Sequence, residues 1–339
     1  MQRKTIECDT AVLLVGGKGS RLYPLTKTRP KPLVHFLCKP IVQYQIEQLS
    51  QAGIKKLILC LNYFSEQFVE KAEEWEKQYG IKIIFSKEDI TLDTAGPIGL
   101  AKKYITGDAF LCLNTDIYSQ IDFKQLITCY NTINEKEKCN VLVLTKEVED
   151  PTKYGLIKHS NKKVIYFLEK PKTKEEFEGC NTCTINAGIY IISSRILDLF
   201  EPKQLSMEKE IFPVVAKSGS MFIYEYNGIW GDIGVPKEYL KTQKIALEAQ
   251  GNESNVFVGK NVKIGKNVFL ENCTVMDNCV LMDECVVKNT ILGLNCVVEE
   301  KVVLENEETL VVADFTRVST HFLKEYFSPN LLCQKKKIK

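Results

Sequence analysis

From residue 256 onward, small aliphatic side chains return every six residues. Val258, Ile264, Leu270, Met276 and Met282 form one column, and Val256, Val262, Val268, Thr274 and Val280 a second, two residues earlier. Gly259 and Gly265 follow the first two members of the main column. Two parallel columns over five repeats are the signature of a β-helix, in which short strands wind into stacked coils. The pattern resumes in a shifted phase at Leu292–Gly293 and runs on through Val298 and Leu304, so extra residues near 286–289 are expected to bulge between coils. Cys273, Cys279 and Cys285 share one column with Asn261, Asn267 and Asn295, which reads as a stacked ladder. Their spacing fits no usual zinc-ligand pattern. Cys180 and Cys183 form a lone CxxC with no second pair, and read as incidental.

Before residue 245 the grammar is different. Ala11–Val15, Lys56–Leu61, Lys82–Phe85, Ala109–Leu113, Val141–Leu144 and Ala187–Ile192 read as buried strands. Pro40–Ala52, Ser65–Gln78 and Pro97–Tyr104 read as helices between them. Strands alternating with helices argue an α/β domain with a mainly parallel sheet. The chain of 339 residues is thus expected to hold two domains, residues 1–245 and 246–339.

Composition excludes several classes. Lys and Arg number 45 against 43 Asp and Glu, a formal charge of +2, so nothing global attracts nucleic acid or an anionic membrane. No apolar run approaches the roughly 20 residues of a membrane helix. MQRKTIECDT has no apolar signal core, so 13 cysteines are expected as reduced thiols in the cytoplasm. His35, His159 and His321 are scattered and read as structural or surface residues, and Lys335–Lys337 as a solvated run.

The chemistry concentrates in AVLLVGGKGSRLYPLTKTRPKPLV, residues 11–34. An apolar strand runs into Gly16, Gly17 and Gly19, then Arg21, then Lys31 between two prolines. Glycines let backbone N–H groups approach phosphates, and Arg and Lys add charge. A P-loop would need Ser or Thr after Lys18, where Gly19 stands; a dinucleotide fingerprint would need Gly where Leu22 stands. The glycines alone leave phosphate binding and a plain tight turn equally open. Asp116 ends the apolar run FLCLNTD, and a carboxylate at a strand's carboxyl end sits where open α/β sheets bind ligands.

The run GGxGxRLxPLT, followed by PKPLV, resembles the signature of the sugar-nucleotide pyrophosphorylases, or sugar-1-phosphate nucleotidyltransferases. DTAGPIG, LNTD, KYG, FLEKP, NAG and WGDIG agree with that family in order. EDPTKYG, SMEKEIFPVVAKSG and WGDIGVPKEYL resemble its eukaryotic mannose-1-phosphate guanylyltransferases of the catalytic β type. The hexapeptide tail matches that group's C-terminal domain, a left-handed β-helix.

The resemblance implies an enzyme that transfers GMP from GTP to mannose-1-phosphate with Mg²⁺, releasing pyrophosphate. It implies Lys170, Arg21 and Lys31 as catalytic cations, with Lys170 on the sugar phosphate. Gly16, Gly17, Gly19, Ser20, Thr94, Ala95, Gly96, Asn114 and Asp116 fall on nucleotide positions; Gly155, Glu169 and Asn186 on sugar positions; Asp116 and Asp232 on metal positions. Three residues depart from the pattern: Ser20 for Thr, Asp93 for Gly and Thr91 for Pro. The alternatives are a relative of other base or sugar specificity, and a regulatory subunit of the same architecture. A homo-oligomer is expected, with a regulatory paralogue as a further partner, and no nucleic acid or membrane. A chain ended near Gln250 is expected to keep the complete site and lose a self-association surface.

Overall fold

The computed structural model describes residues 6–17, 19–62, 65–173 and 182–320. Cys180, His321 and Lys335–Lys337 lie outside the described residues. The chain divides into two compact units: residues 1–18 with 42–230, and residues 19–41 with 231–339.

The first unit is built on a nine-stranded sheet. Its strands are β1 (Thr10–Leu14), β2 (Lys56–Leu61), β3 (Lys82–Lys87), β4 (Ala109–Asn114), β5 (Val141–Val148), β6 (Gly155–Ser160), β7 (Lys163–Glu169), β8 (Cys183–Ser193) and β9 (Met221–Glu225), in the order β3-β2-β1-β4-β8-β5-β9-β7-β6. Along β3-β2-β1-β4 every pairing is parallel. Ala11, Val12, Leu13 and Phe110–Leu113 are wholly buried, which is why these strands read as unbroken apolar runs. Beyond β4 the sheet turns mixed, because β8 runs antiparallel between β4 and β5 and the β6–β7 hairpin closes the far edge.

Helices α1 (Ile41–Gln51), α2 (Ser65–Tyr79), α3 (Gly96–Ala101), α4 (Phe123–Lys136) and α5 (Phe212–Lys217) connect the strands. The expected elements fall within a few residues of these, with Lys102–Tyr104 a 3₁₀ turn continuing α3. Strand β8 begins four residues earlier than the apolar run, with a bulge between Asn186 and Tyr190 around Gly188, whose φ is 75°. Among the described residues no helix is long and apolar enough to cross a membrane.

The second unit holds the segment Gly19–Ile41, helix α6 (Pro236–Glu248) and the β-helix. Three faces form: Val256–Val258, Cys273–Val275, Thr290–Leu292 and Leu310–Val312 stack in parallel on one, Lys263–Ile264, Val280–Leu281, Val297–Val298 and Arg317–Val318 on a second, and Phe269–Glu271, Val286–Lys288 and Val303–Leu304 on a third. Parallel coils wound this way fit the expected left-handed β-helix.

The coil corrects the expected columns. Asn272 bonds to Asn289 over a separation of 17 residues, one short of three hexads. At Asn272 and Asn289 the backbone is left-handed, with φ of 44° and 47°, a conformation Asn tolerates. One residue is lost there in each turn. The central cluster is therefore made by Val275, Leu281 and Val287, then Leu292, Val298 and Leu304; Met276, though buried, and the half-buried Met282 stand outside it. Residues 286–289 hold no insertion: Val286–Lys288 stay in register on Phe269–Glu271, and Asn289 turns the corner above Asn272. The insertion comes after Leu304, where the separation lengthens to 20, as between Thr309 and Asn289. Cys273, Cys279 and Cys285 point into the core from three successive faces of one coil, so they do not stack on one another. The register of Val280 on Val297 instead stacks Cys279 against Cys296. All these thiols are free.

Candidate functional site

Strand order places one part of the site. From β1 the chain adds β2 and β3 on one side, then crosses to β4 on the other, so β1 and β4 flank the switch point where open α/β sheets take ligands. Leu14 pairs with Asn114, so Gly16 and Asp116 each stand two residues beyond the last paired position. A Cβ on Gly16 would lie 3.0 Å from Oε1 of Glu88 and 3.4 Å from Cβ of Asn62, residues at the ends of β3 and β2. Gly17 has open space on its side-chain face, leaving its backbone approachable. Burial pushes the Glu88 carboxyl above its ordinary value, although its Oε2 accepts a 3.0 Å bond from the Leu92 backbone. Glu88 was not singled out by sequence, because a lone acid in SKED carries no signal.

The TAG segment is packed from behind. Thr94 Oγ1 donates to Oε2 of Glu208 at 2.6 Å and accepts from the Met207 backbone at 2.9 Å. Gly96 abuts the carbonyl oxygen of Lys203 so closely that no side chain fits. Burial raises the Glu208 carboxyl. Asp93 has a φ of 63°, which shows why glycine is usual there: the turn is left-handed.

A third cluster gathers on β6, β7 and β8. A Cβ on Gly155 would meet Phe167 Cζ at 2.7 Å, Glu169 Oε2 at 3.1 Å and Asn186 Cβ at 3.3 Å. Asn186 donates to the Tyr190 hydroxyl at 2.8 Å and accepts from the Gly188 backbone at 3.0 Å, which fixes its amide. Lys170 Nζ lies 2.8 Å from Glu169 Oε1, with its side chain 65% exposed. Its backbone is left-handed, φ 51°, and bonds to the Tyr154 carbonyl at 3.0 Å. Asn114 belongs with this wall, since a Cβ on Gly188 would lie 2.9 Å from its Nδ2.

The second unit carries the remaining charges. Gly19, φ 63°, begins a compact loop: Thr26 Oγ1 donates to its carbonyl at 3.0 Å, and a Cβ there would lie 2.7 Å from Cβ of Lys31. Ser20 and Arg21 follow on an exposed 3₁₀ turn, whereas Lys31 is buried. The loop returns both cations to Gly234. A Cβ on Gly234 would lie 2.6 Å from Asp232 Oδ1, 2.8 Å from Lys31 Nζ and 3.3 Å from Arg21 Nη2. The Gly234 N–H donates to Asp232 Oδ1 at 2.8 Å. Gly234 was missed by sequence reasoning, though the WGDIG motif contains it.

Among the described residues no group of three or more His, Cys, Asp or Glu gathers as a metal cage. One or two carboxylates completed by phosphate oxygens and water is how Mg²⁺ is usually held, so the donor types of Asp116 and Asp232 fit that ion.

A family model described as nucleotidyl transferase matches residues 10–249. The chain belongs to the nucleotidyl transferase family. Members of this family generally use a divalent metal. A second model, the GMPPB C-terminal domain, matches residues 242–329. The chain is 40% identical over 243 residues to a mannose-1-phosphate guanyltransferase of Eremothecium gossypii, covering 70% of this chain and 64% of that protein. It is 39% identical over 243 residues to the mannose-1-phosphate guanylyltransferase catalytic subunit beta of Xenopus tropicalis, covering 70% of this chain and 65% of that one. These matches thus span less than two thirds of the relatives' length. The crystal structure of HddC from Yersinia pseudotuberculosis complexed with GMP-PN superposes with a TM-score of 0.56 at 28% identity, over 69% of this chain and 97% of that one.

Proposed function

We propose that this nucleotidyl transferase transfers GMP from GTP to mannose-1-phosphate. The observation that carries the reading is the convergence of Arg21, Lys31 and Asp232 on Gly234: two cations beside a carboxylate suit a triphosphate and its metal. The names of the curated relatives supply the base and the sugar. An oxygen of the sugar phosphate attacks the α-phosphate in line, the bond to the β-phosphate breaks, and pyrophosphate departs. The nucleophile is already anionic, so no side chain need act as one, and the residues work by placing and neutralising anions. Arg21 and Lys31 would take the triphosphate with the backbone of Gly16, Gly17 and Gly19 and the Ser20 hydroxyl; Thr94, Gly96 and Asn114 would border the nucleoside. Lys170 would draw in the sugar phosphate while Gly155, Glu169 and Asn186 receive the hexose. Mg²⁺, held by Asp116 and Asp232, would offset phosphate charge.

We place the protein in the cytoplasm, where its free thiols stay reduced. Val258 and Ile264 occupy positions that are core in later coils yet are exposed in the first, which supports self-association at that open end. Pyrophosphate release measured over four nucleoside triphosphates and several hexose-1-phosphates tests the activity. Preference for another pair would reassign the specificity, and no release with any pair would reject the reading.

A further inference from the structure

Three aspartates in the β-helix do one shared job. Oδ1 of Asp277 accepts the Lys260 N–H, Oδ1 of Asp283 the Lys266 N–H, and Oδ1 of Asp314 the Leu294 N–H, each at 2.8 Å. Each packs on a glycine of the previous coil, Gly259, Gly265 and Gly293 respectively. Asp314 alone of the three has a second duty among the described residues. Its Oδ2 accepts from Thr28 Oγ1 at 2.9 Å and from Arg29 Nη2. The carboxylate is 1% exposed and the Arg29 side chain 15%. Among the described residues Arg29 Nε is buried with no hydrogen-bond partner, and Asp314 supplies the carboxylate that pairs with this guanidinium.

Thr28 and Arg29 belong to the loop that carries Arg21 and Lys31. Arg29 is two residues before Lys31, across Pro30, and Pro32 follows. Pro30 fixes its own φ, so the short link from Arg29 to Lys31 has less freedom to absorb a shift at Arg29. Lys31 in turn packs on Gly19. A displacement of about 1 Å in a positioning group is enough to cost on the order of 100-fold.

We propose that Asp314 is a positioning residue for the triphosphate loop, making the β-helix part of the catalytic apparatus. The proposal rests on the nucleotidyl-transfer reading above. Asp314→Asn keeps an oxygen for the Leu294 N–H and removes the charge facing Arg29. Arg29→Gln removes the charge from the loop side. Asp277→Asn and Asp283→Asn alter the same kind of turn without touching the loop, and so control for β-helix stability.

The test combines initial-rate kinetics on the full chain with amide hydrogen exchange of residues 19–31 without ligand. In Asp314→Asn and Arg29→Gln we expect the triphosphate KM to rise about tenfold or more, the sugar-phosphate KM to stay within about twofold, and loop exchange to accelerate. The two control variants should match wild type in all three. Unchanged loop exchange in Asp314→Asn overturns the proposal. So does a triphosphate KM no higher than in Asp283→Asn. If the wild-type chain transfers no nucleotide, the functional reading falls on that control, and the exchange comparison alone decides whether Asp314 holds the loop.

Discussion

The α-carbon of Gly234 faces the ammonium of Lys31 so closely that a Cβ there would lie 2.8 Å from Nζ. The same carbon would press on Asp232 Oδ1 at 2.6 Å. No positive φ accompanies Gly234, so Gly234→Ala tests space and not backbone strain. Both the ammonium and the carboxylate must shift to admit it. The expected outcome is a fall of about 100-fold in kcat/KM with an unchanged melting temperature, read by initial rates and calorimetry.

Asp116→Asn and Asp232→Asn should each lower turnover about 100-fold or more while leaving the fold intact, because each would remove a charged oxygen donor from the proposed metal site. Titrating Mg²⁺ into each variant separates the causes. A metal ligand shows a raised metal requirement. A variant with near-wild-type rates at low Mg²⁺ would take that aspartate off the metal.

The two lysines should fail differently. Lys170 is exposed and paired with Glu169, beside Gly155 and Asn186. Lys170→Ala is expected to raise the sugar-phosphate KM by about tenfold or more and leave the triphosphate KM near wild type. Lys31→Ala and Arg21→Ala should show the reverse pattern. Gly155→Ala offers a check without loss of charge: its Cβ would push on Phe167 and Glu169, so the sugar-phosphate KM alone should rise.

Glu208 supplies a pH signature. Burial raises its carboxyl, so the folded chain binds that proton more tightly than the unfolded chain does. Stability from this group is full below the ordinary glutamate value and is lost as pH rises through the raised value. Glu208→Gln retains an acceptor for Thr94 and Ser206 and removes the ionisation. The variant should match wild type in melting temperature near pH 4 and exceed it progressively from there toward pH 8. A constant difference across that range would show that burial of the charge is not what matters.

How much of this was legible in the sequence depends on separation along the chain. Residues 11–34 stood out because strand, glycines and cations lie together within them, but on their own they left phosphate binding and a plain tight turn equally open, and only the family resemblance implied a phosphate role. The parallel half of the sheet was readable from strands buried on both faces, while the β6–β7 hairpin was not, since Ile165 and Tyr166 are exposed and blur its pattern. The hexad period revealed the β-helix but hid its turn of 17 residues, because each coil loses one residue at Asn272 or Asn289. The pair of Arg29 and Asp314 stands 285 residues apart. No local pattern marks such a pair, and each residue alone reads as a solvated charge.

That pair changes what removal of the C-terminal region should do. A chain ended at Gln250 loses Asp314, leaving the buried Arg29 guanidinium without its carboxylate. It also uncovers α6, whose Gln243 side chain donates to the Cys273 carbonyl at 3.0 Å and accepts from the Thr274 hydroxyl. Both losses fall on the unit that contains Arg21, Lys31 and Asp232. The sequence alone treats the tail as dispensable for nucleotide binding; these contacts predict the opposite. The truncated chain should bind GTP with Mg²⁺ at least about tenfold more weakly than the full chain, whatever its oligomeric size. Calorimetric titration with GTP, paired with sedimentation of both chains, checks this. A folded truncation that binds GTP as tightly as the full chain would return the β-helix to a role in assembly alone.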